Sequence, residues 1–528
     1  MSPPEPGSFS DLPPWRVEPE RMPWRSGVAG LRAETLSRLP GMLRRSRLPP
    51  LGRFLGAGWK LGGALALWSL GERRTGGAHS RSGLSRRLRR AFETLGPAYI
   101  KLGQIVSSGR GLFPEELVAE FRSLRDKVPP EPFEAVRRVV EAELGRPLGE
   151  VFESFDTSCL ASASIAQVHA ARLRTGESVV VKVQRGSVER LVAKDIRAMA
   201  WIAPFLVGRI PVAALANPPA LVELFAETIS VELDFRLEAE NMLDVARVLR
   251  DAGSSVVIVP RPHPELVTRR VLVMERIEGF GYEEAPEMRA AGIDTAAVLR
   301  SLLISFLEGA MIYGVFHGDL HGGNLFVMRD GRVALLDFGM TGRMDEKQRL
   351  AFLRMMVTGA INDRRGQLEA FRDLGALPED VDVSALIGVL KLDQAPRDPT
   401  EMSGEELVSE IQGVLKGLLA HGARLPKHLM LYVKNMIFLD GAIAQLAPDL
   451  NLFAEVTRIW GHFASQHGER IARDLGFDPG KVGLDLDGMK ATLGISAEVE
   501  SLTHRELIAR RQKVRERLEE VGAAPRLS

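Results

Sequence analysis

The chain has 528 residues, 45% hydrophobic and 26% charged, with one cysteine, Cys159. A chain of this size and composition holds about two to four globular units; it is not disordered throughout, collagenous or a polytopic membrane protein, and one cysteine excludes an intramolecular disulfide or a cysteine-cluster zinc site. The net charge is only +1, yet residues 41–90 hold 12 Lys/Arg against one acid, Glu72, and residues 91–528 carry a net −10, so an anionic partner is expected for a basic arm rather than for the body.

The opening stretch, MSPPEPGSFSDLPPW, has no basic segment followed by an apolar run, so no secretory signal is expected. Eight prolines in residues 1–40 predict a disordered tail. Residues 41–90 read as a basic, partly apolar arm. Inside it, residues 54–70 (FLGAGWKLGGALALWSL) are interrupted by Lys60, leaving ten uncharged residues where a membrane span needs about 20. Trp59 and Trp68, among apolar residues with basic flanks, favour a helix at a membrane surface over a span; the plain alternative is a buried helix.

Residues 91–150 read as helical and end in a loop bearing Pro129, Pro130 and Pro132. Strand-like runs occupy 151–185, including 178–183 (SVVVKV), and a long helix is expected over about 218–250. Strands return at 256–259 and 271–274. Beyond Gly279 the pattern is helical except at 314–337. Residues 428–446 are apolar but hold Lys434 and Asp440, so they read as a core helix. Residues 471–528 read as a helical tail with a charged amphipathic helix at 500–520. Strands first and helices second predict an α+β protein, with lobes at 151–278 and 279–470 and a cleft between them.

The chemistry concentrates in 315–324, VFHGDLHGGN, and 334–339, ALLDFG. Asp319 and Asn324 are five residues apart, and Asp337 follows Asn324 by 13 behind an apolar strand. That is the kinase order of a catalytic Asp, a metal-binding Asn and a DFG Asp. Asn324 and Asp337 are hard oxygen donors suited to magnesium on a phosphate, and Asp319 is placed to take a hydroxyl proton or orient a water. Lys182, in VVVKVQ, is expected to hold the ATP phosphates, with Glu238 of VELDFRLEAEN as its helical partner and Glu240 as the substitute. A glycine-rich loop is replaced by Ala161, Ser162, Ala163 and Ser164; alanine resists positive φ, so a stiffer phosphate loop is expected. Met274 and Glu275 complete the expected nucleotide-binding set.

Taken in order, these motifs resemble the UbiB/AarF-type atypical kinases, the kinase-like ATPases associated with ubiquinone biosynthesis. A further match is the K-x-G-Q signature, Lys101–Leu102–Gly103–Gln104, and the E-x-D acids look like Glu232–Leu233–Asp234. The likeness covers about residues 90–345 by motif. It implies a two-lobed protein-kinase-like fold with an N-terminal helical K-x-G-Q extension and a helix-rich C-terminal lobe. It also implies that Lys101 and Gln104 pack over the site where a protein substrate binds an ordinary kinase, with Lys101 near the phosphates or near Glu232 and Asp234. Two acids two residues apart cannot share a face of a regular helix, so either the helix is irregular or the acids serve different partners. Gly318, Leu320 and Gly322 replace the family's Ala and two Pro, which predicts a more mobile loop. Gly109 and Gly111 stand where the family often has Arg and Asp.

The resemblance implies ATP and Mg2+ as cofactors, and ATP turnover in the service of isoprenoid-quinone or related lipid metabolism. The expected partners are an anionic membrane surface and quinone-pathway enzymes or a lipid substrate; the expected location is cytoplasmic and peripheral to the membrane. Two other readings compete. HGDLHGGN also resembles the loop of aminoglycoside and choline phosphotransferases, and a nucleotide-binding pseudokinase scaffold would keep the same residues. Nucleic acid is the weaker anion for the arm, because no reader motif accompanies its arginines.

Overall fold

The computed structural model describes residues 21–44, 52–75, 77–107, 115–124, 129–186, 188–206, 218–394, 397–424, 426–476 and 483–520. Residues 1–20, Gly109 and Gly111 lie outside them.

The first lobe is built on an antiparallel sheet of β1 (Phe152–Ser162), β2 (Ala166–Leu173), β3 (Ser178–Gln184), β5 (Pro262–Val267) and β6 (Val271–Glu275), in the order β1-β2-β3-β6-β5; β4 is Val257–Ile258. Strand alternation explains its two faces. Val179, Val181 and Val183 of β3 are buried against Val136, Val139 and Val140 of the helix Phe133–Leu144. Val180 and Lys182 therefore point the other way, into the cleft. Lys182 pairs in register with Val168 on one side and Leu272 on the other.

The expected long helix over 218–250 is two helices, Pro218–Glu232 and Phe235–Asp251. Asp234 has extended backbone and N-caps the second helix, accepting from the Arg236 amide at 3.1 Å. A side chain that satisfies an orphan N–H at this position starts a new helix. The break sets Glu232 and Glu238 on separate helices that both reach the cleft.

The second lobe is helical around short strands: β7 (Phe280–Gly281), β8 (Val315–His317), β9 (Leu325–Val327), β10 (Val333–Leu335) and β11 (Thr341–Arg343). β8 and β11 pair, and β4-β10-β9-β7 form a second small sheet. The strands present the HGDLHGGN and DFG segments at the cleft floor. Two helices in this lobe, Thr295–Tyr313 and Lys427–Leu446, are long and apolar enough to cross a membrane by length and composition. Both pack into the protein: Leu299, Leu302, Leu439 and Ala442 belong to its main core.

The N-terminal region departs from expectation. Within the tail assigned to 1–40, the structure has the helix Val28–Ser37 and a second, Leu39–Leu43. Met22, Trp24, Val28 and Leu39 are buried in the main core. Pro23 and Pro40 sit in first turns, where a missing N–H costs nothing. Arg25 forms a fork to Glu240 at 2.7 and 2.8 Å, and Arg32 donates to Asn241 at 2.7 Å, so the segment docks on the Phe235–Asp251 helix. Glu240 thus belongs to this dock, not to Lys182.

The basic arm is likewise part of the body. Its helices Arg53–Gly71 and Gly77–Leu95 pack together, and the first also packs on Val188–Leu206, with Phe54 against Trp201 at 4.7 Å. Several arginines are paired internally: Arg53 with Asp195, Arg81 with Glu116, Arg87 with Glu72, and Arg89 with Glu93 and Glu120. Arg73, Arg74 and Arg90 are exposed and form no ion pair among the described residues.

Asp195 is 0% exposed on its side chain and is held by Arg53 at 2.7 Å. Removing one partner of a buried pair strands the other charge. Arg53→Ala is therefore expected to cost about 3 kcal/mol, read as a lower denaturation midpoint, with Asp195→Asn partly restoring the double variant. An unchanged midpoint would show that the Arg53–Gly71 helix is not anchored there.

Candidate active site

A cleft of about 800 Å³ lies between the lobes. Its upper wall is β1–β3 and its floor the HGDLHGGN and DFG segments; Val168, Val180, Met274, Phe326 and Leu336 line its apolar part. Ala161, Ser162, Ala163, Ser164, Lys182, Glu238, Asp319, Asn324 and Asp337, dispersed over 177 positions of the chain, all line it, as do Lys101, Gln104, Glu232 and Glu275.

Lys182 Nζ lies 2.6 Å from Glu238 Oε1 and 3.2 Å from Asp337 Oδ1. Burial alone would lower the Lys182 ammonium, but Asp337 and Glu238 outweigh it and push it above its ordinary value. Lys182 therefore stays charged, which a phosphate ligand requires.

Lys101 Nζ lies 2.8 Å from Glu232 Oε1. Asp234 turns away and is gripped by Arg236, Nε at 3.0 Å and Nη2 at 2.8 Å. Both halves of the E-x-D alternative hold: the helix breaks, and the acids have different partners. Gly103 explains the K-x-G-Q glycine. A β-carbon there would stand 2.4 Å from Leu124 Cδ1 and 3.3 Å from Phe121, so the helix Pro97–Ser107 approaches its neighbour only without a side chain.

Burial would raise the Asp319 carboxyl, but Lys434, His321 and Lys101 overcome it and hold it far below the usual carboxylate range. Lys434 bonds directly to Asp319 Oδ1. At Asp337 burial again acts upward and is outweighed by Lys182 and Lys101, leaving that carboxyl also well below its ordinary value. Both groups are ionised at neutral pH. Asp337 has φ 57°, a left-handed conformation rare outside glycine, and its Oδ1 accepts the Gly339 amide at 3.1 Å.

The loop is fixed from below. His317 Nδ1 accepts the Asp319 amide at 3.1 Å, so Nε2 carries the proton and faces the carbonyls of Leu336 and Asp337 at 3.1 and 3.0 Å. Burial lowers the His317 pKa and keeps that tautomer neutral. Fully buried Asn435 accepts the Leu320 amide at 2.9 Å and donates to the His317 carbonyl. Asn324 Nδ2 donates to the Asp319 carbonyl at 3.0 Å.

The loop glycines are close-packed, not conformationally special. A β-carbon on Gly318 would stand 3.0 Å from the Met340 carbonyl, and one on Gly322 2.7 Å from the Tyr282 ring; neither has positive φ. They mark close approach instead of the mobility expected. The alanine loop is braced by Arg185, whose Nε donates to Ala163 O at 3.1 Å and whose Nη2 donates to Ser162 Oγ and Pro129 O at 2.8 Å.

Lys434, Asn435, His317 and Arg185 have no place among the residues expected from sequence. Lys434 carried a signal, a lysine inside an apolar helix, which reads as core until its target is known. At the phosphate end, three lysines (Lys101, Lys182, Lys434) face four carboxylates (Glu232, Glu238, Asp319, Asp337). Among the described residues no hydrogen bond is taken by Asn324 Oδ1, Asp319 Oδ2 or Asp337 Oδ2. Burial outweighs the lysines at the other two acids, raising Glu232 above its ordinary value and Glu238 to about 7; the ionised Asp319 and Asp337, with these open hard oxygens, fit a divalent cation such as magnesium.

Residues 123–371 match the ABC1 atypical kinase-like domain. An uncharacterized protein of Mycobacterium tuberculosis is 36% identical over 389 residues, covering 72% of this chain and 78% of that protein. A probable protein kinase UbiB of Aeromonas hydrophila is 32% identical over 388 residues, covering 71% and 70%. A solved Mycobacterium tuberculosis complex with erythromycin aligns at a TM-score of 0.42 and 24% identity, over 65% of this chain and 87% of that one, too loosely to bear on function.

Asn435→Ala would leave the buried Leu320 amide and His317 carbonyl without partners. The expected cost is about 2–4 kcal/mol in chemical denaturation. Asn435→Asp, which keeps the acceptor and loses the donor, should fall between; equal stability of all three proteins would contradict the role assigned to Asn435.

Proposed function

We propose, from the premise that this chain belongs to the UbiB/ABC1 atypical kinase-like family, that it is a Mg-ATP-dependent ATPase or phosphotransferase. It acts at a membrane surface in isoprenoid-quinone or related lipid metabolism. The observation that carries the reading is the ionised pair Asp319 and Asp337 beside open oxygens on Asn324 and Asp337.

Asn324 and Asp337 would hold the cation, which supplies charge neutralisation at the phosphates. Lys182, kept protonated by Glu238, binds phosphate oxygens. The apolar pocket around Val168, Met274 and Leu336 takes the base. Asp319 is ionised and bonded by Lys434 only through Oδ1, so its Oδ2 accepts the proton of the attacking hydroxyl, from an acceptor or from water. That proton transfer accompanies cleavage of the terminal phosphoanhydride and leaves ADP. The helix Pro97–Ser107, with Lys101, Gln104 and Ile105 in the cleft, occupies the side where a peptide would lie, which favours a small or lipid acceptor over a protein.

The membrane part rests on the helix Arg53–Gly71. Leu55, Trp59, Leu67 and Leu70 are exposed along it, Trp59 at 84%, and Arg73 and Arg74 lie just beyond. Apolar side chains with flanking cations suit an anionic lipid interface. Trp68, grouped with Trp59 from sequence, turns inward and donates to Ser80 O at 2.9 Å. The pairing of the other arginines makes the contact surface this apolar face with a small basic rim, not a free polycationic arm.

The test is ATP turnover by the full chain with Mg2+, with and without anionic phospholipid vesicles. Vesicles are expected to stimulate turnover, and Asp337→Ala to reduce it at least ~10²-fold. Trp59→Glu with Leu70→Glu should lose vesicle binding and stimulation while keeping basal turnover. Turnover no higher than that of Asp337→Ala would refute the enzymatic reading. Phosphorylation of soluble amines or alcohols, indifferent to lipid, would move it to the aminoglycoside/choline type.

A further inference from the structure

Outside the residues that line the ATP cleft, Glu308 ends the helix Thr295–Glu308 as a carboxylate only 2% exposed. His462 Nε2 and His467 Nε2, both on the helix Leu452–Leu475, reach the same oxygen, Glu308 Oε1, at 2.8 and 2.9 Å. No Lys or Arg bridges to Glu308 among the described residues. A buried carboxylate needs its oxygens satisfied, and here both partners on that oxygen are imidazole nitrogens.

We propose that Glu308, His462 and His467 form a zinc-binding site. Two imidazole nitrogens and one carboxylate oxygen are the donor set of a three-ligand zinc site, with a water as the fourth ligand. Imidazole selects zinc over magnesium or calcium, which prefer all-oxygen shells. The three ligand atoms lie within 4.8 Å of one another. Tetrahedral zinc, at metal–ligand lengths of about 2.0–2.1 Å, spaces its ligands roughly 3.3 Å apart, within reach of small imidazole rotations. His462, 32% exposed, supplies an entry path and room for the water, while His467 and Glu308 are enclosed.

The place of the site gives its role. Glu308 is followed at once by the π-turn Gly309–Tyr313, and four residues after that turn comes His317, which orients Asp319. On the other helix, Arg470 clasps the same turn by donating to Ile312 O at 2.7 Å. Zinc would replace a pair of hydrogen bonds with coordinate bonds between the Leu452–Leu475 helix and the segment leading into the catalytic loop. It is a structural tie on that loop, separate from the magnesium ligands of the cleft.

The test uses full-length protein stripped with EDTA, titrated with Zn2+ against a chromogenic chelator, and with Co2+ for its visible ligand-field spectrum. One equivalent of zinc and the intense bands of tetrahedral cobalt are expected, with a zinc-dependent rise in melting temperature. Glu308→Gln, which keeps shape and hydrogen-bonding capacity, and His467→Ala should each weaken zinc binding more than ~10-fold. Asp337→Ala should bind zinc as the wild type does, which separates this site from the ATP reading. Zinc that binds both ligand variants with wild-type affinity, or a wild type that neither retains zinc nor melts higher with it, would overturn the site.

Discussion

Three lysines facing four carboxylates in the cleft are the constraint on which the rest of this structure depends. Charges withdrawn from water are tolerated only when opposed, so each must be delivered to its partner by a rigid element. Strand alternation turns Lys182 into the cleft while its valine neighbours pack behind. The Asp234 cap starts the helix that brings Glu238 to 2.6 Å from it. Gly103 lets the Pro97–Ser107 helix pack on Phe121 and Leu124, and the same helix sets Lys101 against Glu232. The long Lys427–Leu446 helix contributes Lys434 to Asp319 and, one residue on, Asn435 to the loop beneath it. Asp319 and Asp337 stay ionised, each with one oxygen unbonded among the described residues, which is the electrostatic case for a metal-bound nucleotide.

The motifs were legible because kinase-type chemistry is written in short local spacings. Asp319, Asn324 and Asp337 sit within 19 residues, and Lys182 and Glu238 could be nominated once those were known. Lys434 was not legible as a site residue: its target is 115 positions away, and a lone lysine in an apolar helix has the same local pattern whether it snorkels or is paired. Asn435 is hidden for the same reason. The split of Glu232 and Asp234 was half legible, since their spacing forbade one helical face but did not say which acid would become the cap.

Charge was the least transferable signal. Counting residues 41–90 gave a strongly basic arm, because composition does not report pairing. Glu72, Glu93, Glu116, Glu120 and Asp195 absorb much of that charge, all but Glu72 from outside the counted window. Prolines misled in a similar way: in a first turn they are helix-compatible, and residues 22–37 dock on the Glu238 helix while Leu39–Leu43 packs on the Val188–Leu206 helix. That dock makes the N-terminal segment a brace on the element that holds Lys182.

The central claim is that the cleft lysines keep Asp319 and Asp337 ionised, and Lys434 at Asp319 is its most accessible case. The decisive measurement is the pH dependence of ATP turnover in wild type and Lys434→Met. With Lys434 present, the Asp319 pKa is depressed and the base stays available as pH falls. Without it, burial acts with less opposition and raises that pKa. The account predicts that the acid limb of the Lys434→Met profile moves to higher pH, with turnover recovering as the pH is raised. An acid limb that stays in place would contradict it.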